Sequence, residues 1–90
     1  MEDIEIRKMF GAIIKEEREK SGLTLRQLAV KLGTDNSTIS KWESGKNSIS
    51  GVDLYKFCDA VGITIQDFSR KLKWFDQRDF IKHQPPPKKY

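Results

Sequence analysis

The sequence predicts an all-α domain built from five short helices, and three features support this. Apolar residues recur at i, i+3, i+4 and i+7, the spacing of helices that bury one face. A Ser, Thr or Asp precedes four of these segments, where helix N-caps are expected. A glycine follows several of them, as expected where a helix ends in a residue with left-handed backbone geometry. With 90 residues, the chain is large enough for one modest core and too small for two.

Composition limits the kinds of protein that the chain can be. Seventeen Lys and Arg against 13 Asp and Glu give a net charge of +4, which is compatible with nucleic-acid binding without proving it. Cys58 is the only cysteine, which excludes an internal disulfide and the usual Cys/His zinc sites. No apolar run approaches the roughly 20 residues that span a bilayer. We therefore expect a cytoplasmic protein with no cofactor, no metal and no membrane partner.

The first helix is expected over residues 4–20, and Gly22 ends it. Its second half is strongly charged, whereas its first half carries an apolar stripe at helical spacing. We interpret this stripe as core; it consists of Ile6, Met9, Phe10, Ile13 and Ile14.

The second and third helices are expected within residues 24–46, on either side of a tight turn. Thr24 and Gln27 form a capping box in front of the second helix, and Gly33 closes it. Asp35 then caps the third helix. The inward residues are Leu25, Leu28, Ala29 and Leu32 on the second helix, and Ile39 and Trp42 on the third.

Two further helices follow. Ser50 with Asp53, and Thr64 with Asp67, have the spacing of capping boxes at their starts. Gly62 ends the fourth helix. The inward residues are Leu54, Phe57, Cys58 and Val61 on the fourth helix, and Ile65, Phe68 and Leu72 on the fifth.

Residues 24–46 resemble the helix-turn-helix of the phage repressor and Cro type, the xenobiotic-response-element (XRE) family. The resemblance extends over about residues 10–72 and implies a compact five-helix, lambda-repressor-like domain over residues 1–72. It also implies a sequence-specific DNA-binding regulator of transcription, a repressor in our interpretation, and not an enzyme. The residues that carry it are Leu28, Ala29, Gly33, Ile39, Trp42, Glu43 and Gly45.

The resemblance places the third helix in the major groove of double-stranded DNA. Base contacts are then expected from Asn36, Ser37, Ser40 and Lys41, of which Asn36 and Lys41 are the best candidates because Asn pairs with adenine and Lys with guanine. The alternative is an ordinary solvated helix face. Phosphate contacts are expected from Thr24, Arg26, Thr38, Ser44, Lys46 and Asn47.

Two positions bear on how well such a site would work. Arg18 matches a family arginine that pairs with the glutamate matching Glu43, so the resemblance implies a structural ion pair between these residues. Leu25 stands where many family members have a phosphate-binding Gln. Arg26 is the candidate to replace that contact.

Residues 73–84 form an aromatic extension outside the resemblance, and residues 85–90 form a Pro-rich tail that we expect to be disordered. Trp74, Phe75, Phe80 and Ile81 are too many large apolar groups for a disordered segment. They cover either the domain's own core or a second copy of the chain. We favour a homodimer on a DNA operator with two half-sites.

Several regulators fit so short a chain: a phage-type repressor, a restriction-modification controller, or an antitoxin whose residues 73–84 bind a toxin. A protein-interaction adaptor with the same fold is a further alternative. An enzyme is the weakest hypothesis because the sequence has no Gly-rich phosphate loop and no base beside its single Cys.

Overall fold

The described part of the chain in this computed structural model, residues 2–81, contains five helices and no strand. Side-chain positions are described for residues 2–76. The all-α prediction is confirmed, and the helices begin and end within one residue of the expected positions, except that no end was predicted for the fifth. They are α1 (Asp3–Lys20), α2 (Leu25–Leu32), α3 (Asn36–Ser44), α4 (Gly51–Val61) and α5 (Ile65–Ile81).

Side chains and backbone geometry both define the helix ends. At the start of α2, the Gln27 amide donates to Thr24 Oγ1 over 3.1 Å, and the Thr24 amide donates to Gln27 Oε1 over 2.9 Å. At its end Gly33 adopts φ 69°, which is inexpensive without a Cβ. This turn lets the Thr34 amide reach the Ala29 carbonyl over 2.9 Å. The sharp turn sets the relative orientation of α2 and α3.

The core lies where α1 meets α3 and α5, and where α2 meets α3 and α4. Phe68 of α5 is central to it, because the centroid of its ring lies 5.4 Å from that of the Phe10 ring and 6.4 Å from that of the Phe57 ring. Burying these rings and the aliphatic side chains around them is the main stabilising contribution. The buried residues are Ile13, Ile14, Leu28, Ala29, Leu32, Ile39, Trp42, Phe57, Cys58 and Phe68.

Two residues expected to face inward are instead exposed. Ile65 is 43% exposed and Ile6 is 36% exposed. Both lie in the first turns of their helices, before the buried stripe begins. The helical spacing was therefore correct, but the stripe was extended too far toward the helix starts.

A buried carboxylate joins α1 to α5. Glu17 is only 6% exposed, and its Oε2 lies 3.0 Å from Nζ of Lys71 and 3.6 Å from Nζ of Lys20. In the sequence Glu17 belongs to a charged run and looks solvated. Its burial follows from α5 packing over this part of α1.

Helix α5 continues without a break past Leu72, where the expected extension begins, to Ile81. Phe75 is partly buried against the core, whereas Trp74 is 54% exposed. The side chains of Phe80 and Ile81, residues 82–84 of the extension and the tail 85–90 lie outside what the structure describes. In the described part, the helices are too short or too polar to cross a membrane.

Candidate nucleic-acid interface

Helix α3 presents one polar exposed face and one buried apolar face. Ile39 is fully buried and Trp42 is 5% exposed. The opposite face carries the four predicted base-contact residues. Positions 36 and 40, 37 and 40, and 37 and 41 are neighbours on this face, because residues three or four apart lie one turn from each other. Asn36, Ser37, Ser40 and Lys41 are all exposed.

The start of α3 is fixed by Asp35, whose Oδ1 accepts a hydrogen bond from the Thr38 amide over 2.8 Å. This bond lowers the pKa of Asp35, because it favours the charged carboxylate. Thr38 itself is half-buried. It therefore lies beside the exposed face of α3 and not at its centre.

Arg18 of α1 holds the end of α3 through Glu43. Its Nε donates to Glu43 Oε2 over 2.6 Å and its Nη2 to Oε1 over 3.2 Å. The remaining Nη1 donates to the Leu23 carbonyl over 2.8 Å. Both charged side chains are about 10% exposed. The structure thus brings the two residues of the expected ion pair together as a two-bonded fork, and the bond to Glu43 raises the pKa of Arg18.

Two further contacts between α1 and α3 were not found in the sequence. Arg7 Nε donates to the Gly45 carbonyl over 2.9 Å. Gly11 lies against the α3 backbone, where an added Cβ would be 2.5 Å from the Glu43 carbonyl oxygen and closer still to that of Trp42. A glycine inside an otherwise helical segment was the one available signal of close backbone packing at this position.

The expected phosphate contacts lie at two places beside α3. Thr24 and Arg26 are exposed at the start of α2, where backbone amides and the helix dipole favour an anion. Thr24 Oγ1 accepts the Gln27 amide, so its hydroxyl proton remains available to a phosphate. At the other end of α3, its last residue Ser44 is exposed, and so are Lys46 and Asn47 in the turn that follows.

Ser44, a predicted phosphate contact, and Leu25, which precedes Arg26, also have contacts within the protein. Ser44 Oγ donates to the Lys41 carbonyl over 3.2 Å. Leu25, at the position where many family members have Gln, is partly buried and packs against the core. The core contact gives Leu25 a structural role.

Three of the predicted DNA-contact residues are cations outside the ion pairs of the described residues. The ion pairs among the described residues involve α1, the end of α3 and the start of α5. Arg26, Lys41 and Lys46 take part in none of them. Binding of a polyanion by these three cations would therefore break no ion pair, although Lys41 interacts electrostatically with the Asp35 carboxylate.

The described residues contain no cluster of His, Cys, Asp or Glu that would hold a metal ion. Cys58 is buried, and desolvation raises the pKa of its thiol. A thiol of this kind packs as a small apolar side chain.

The family model described as helix-turn-helix matches residues 14–68. The chain belongs to the helix-turn-helix family. The resemblance to the phage repressor and Cro type is thereby confirmed, and with it DNA binding and a role in regulating transcription. The match spans α2, α3 and α4 together with the adjoining ends of α1 and α5. Arg7 and Gly11 lie outside it.

Individual relatives of this helix-turn-helix chain agree with that assignment. Control protein C.MunI from Mycoplasma sp is 37% identical over 68 residues, which are 74% of this chain and 89% of that protein. A crystal structure of the clp gene regulator ClgR from Corynebacterium glutamicum matches with a TM-score of 0.74 at 26% identity, over 86% of this chain and 87% of that one. A second ClgR structure gives a TM-score of 0.71 at 28% identity, over 76% and 87%.

Proposed function

We propose that this protein represses transcription by binding a specific DNA operator with α3 in the major groove. The observation that carries the proposal is the division of α3, which has a buried apolar face, an exposed polar face and a C-terminal end held by Arg18 through Glu43. A helix fixed in this way presents short polar side chains in a constant orientation. Direct recognition of base edges requires that orientation, because discrimination depends on the directions of hydrogen bonds.

In this proposal the exposed residues of α3 have different roles. Asn36 pairs with adenine and Lys41 donates to guanine, while Ser37 and Ser40 contact bases or nearby phosphates. The surrounding residues fix the position of the domain on the sugar-phosphate backbone. These phosphate contacts are Thr24, Arg26, Thr38, Ser44, Lys46 and Asn47.

We further propose that the protein binds as a homodimer through the C-terminal half of α5. Trp74 is 54% exposed at the point where α5 continues past the part that packs on the core. A twofold dimer would place its two α3 helices about 34 to 36 Å apart, one turn of B-DNA. The operator is then expected to be a palindrome with half-sites separated accordingly.

Among the kinds of short regulator that fit the chain, a controller is favoured by the similarity to a protein named as a control protein. The antitoxin alternative predicts instead that a second small protein binds α5.

Sedimentation equilibrium of the purified chain tests the proposed homodimer. A concentration-dependent dimer that Trp74→Ala weakens supports the homodimer, and a monomer at all concentrations contradicts it.

Selection of bound sequences from random DNA tests the proposed recognition. We expect a palindromic consensus and a strong decrease in affinity with salt. Asn36→Ala and Lys41→Ala should each cost about 1 to 3 kcal/mol on the selected site and little on random DNA.

Lys56→Ala is the control, because it removes an exposed charge from α4 that takes part in none of the ion pairs of the described residues. It should leave the consensus unchanged. Equal losses on selected and random DNA would contradict the base contacts. If no sequence is enriched, the protein-interaction adaptor replaces the proposed repressor.

A further inference from the structure

Lys8 of α1 lies directly over the turn that ends α3. Gly45 in this turn has φ 79° and is buried. A Cβ added to Gly45 would be 2.8 Å from Lys8 Cγ and 3.1 Å from Lys8 Cα. Gly45 is therefore required for two reasons, the left-handed backbone and the close approach of the Lys8 side chain.

Arg7, the preceding residue, fixes this arrangement. Its Nε donates to the Gly45 carbonyl, so α1 is attached to the turn by a hydrogen bond as well as by packing. Gly45 stands between Ser44 and Lys46, which are two of the proposed phosphate contacts. The Lys8 stem is thereby placed beside this turn.

The charge of Lys8 has no partner among the ion pairs of the described residues. One turn earlier on α1, the Glu5 carboxylate accepts a hydrogen bond from the Glu2 amide over 3.3 Å. Lys8 is also exposed. Long cationic side chains bury their stems along a surface and keep the charged group in water. Lys46 directly follows Gly45, so the Lys8 stem and Lys46 lie at the same turn.

We propose that Lys8 binds the DNA backbone, so that α1 supplies a third set of phosphate contacts beside those of α2 and the loop after α3. The inference rests on the proposed function, and it adds a residue that lies outside the helix-turn-helix match over residues 14–68. A structural explanation also exists, since a cation near the C-terminal end of α3 would stabilise the helix dipole. The two explanations differ in what they predict for the salt dependence of DNA binding.

Lys8→Gln is the informative variant, because it removes the charge and keeps most of the stem. Fluorescence anisotropy with a selected site and with random DNA, between about 50 and 200 mM salt, gives the slope of log affinity against log salt. Each protomer of the proposed dimer would lose one phosphate contact. We therefore expect the slope to be smaller by about 1.8 on both DNAs, which corresponds to about 60-fold weaker binding at 0.1 M salt. Lys8→Glu should reduce the slope further. Lys56→Gln on α4 is the matched control, because Lys56 is exposed and takes part in none of the ion pairs of the described residues, and it should change neither the slope nor the melting temperature.

Lys46→Gln separates failure of this inference from failure of the proposed function. If Lys46→Gln reduces the slope and Lys8→Gln does not, Lys8 makes no phosphate contact although the proposed interface is correct. A lower melting temperature with an unchanged slope for Lys8→Gln would assign Lys8 to the helix dipole alone, and would also overturn the inference. If the unaltered protein binds no DNA, the proposed function fails and this inference fails with it.

Discussion

Replacing Arg18 by Met should destabilise the fold by about 3 to 4 kcal/mol. Met keeps an apolar stem of similar length but removes the two bonds to Glu43 and the bond to the Leu23 carbonyl. Removing one member of a buried ion pair typically costs about 3 to 5 kcal/mol, because the remaining charge is left without compensation. At about 10% exposure of the Glu43 side chain, water replaces little of the lost interaction.

Urea unfolding followed by circular dichroism measures this loss, with the slope m checked for constancy. Arg70→Met is the matched control. Its bond to Asp67 is equally short, 2.6 Å, but the Arg70 side chain is 72% exposed, so its loss should be a small fraction of that for Arg18. A double-mutant cycle of Arg18→Met with Glu43→Gln should give a coupling of at least about 1 kcal/mol. Equal effects of the Arg18 and Arg70 variants would refute the argument from burial.

Three further predictions concern the contacts of α1 with α3 and α5 and the N-cap of α3. Gly11→Ala should lower stability by about 1 to 3 kcal/mol in urea unfolding, because its Cβ would overlap the α3 carbonyls; the control Gly51→Ala meets nothing within 4 Å and should stay within about 0.5 kcal/mol. Lys71→Met should destabilise the protein more than Glu17→Gln, since only the first leaves a buried carboxylate charged; the reverse order would contradict the assignment. Asp35→Ala should lower the melting temperature at pH 7. Because the folded-state pKa of Asp35 is lowered, its contribution is present above about pH 4 and lost as the pH falls below that; melting temperatures that differ equally at pH 7 and pH 3 would contradict this.

The helix positions were predictable because their signals are local. The capping pair Thr24 and Gln27 and the glycine at 33 act on residues within one turn of themselves. The same holds for Asp35 at the start of α3. Each of these residues specifies its own backbone geometry whatever the rest of the chain does.

The contacts that hold α3 were less predictable because they join residues far apart in the chain. Arg7 and Gly45 are 38 positions apart, and neither residue type indicates the other. The ion pair between Arg18 and Glu43 was expected only from the family resemblance. The burial of Glu17 had no signal in the sequence either, because it stands in a charged run and is covered by α5, a distant part of the chain.

No position was predicted for the end of α5, because residues 73–84 lie outside the family resemblance. Phe75 continues the helical apolar spacing of Phe68 and Leu72, and within the described residues no glycine follows it to mark a helix end. Helix formation does not require that both faces be buried, and once α5 is nucleated on the core each further residue adds a hydrogen bond at little cost. The helix therefore continues to Ile81.

In the proposed interface, the charges that bind DNA differ from those that stabilise the fold. The pair of Arg18 with Glu43 and the buried contact of Glu17 with Lys71 lie on the α1 side of the domain and are shielded from solvent. Shielded pairs are screened little by salt, whereas contacts between exposed cations and phosphates weaken steeply. Raising the salt concentration should therefore release the protein from DNA while leaving it folded. Because α1 holds the C-terminal end of α3 through groups that salt hardly affects, the orientation of α3 is maintained whether or not DNA is bound.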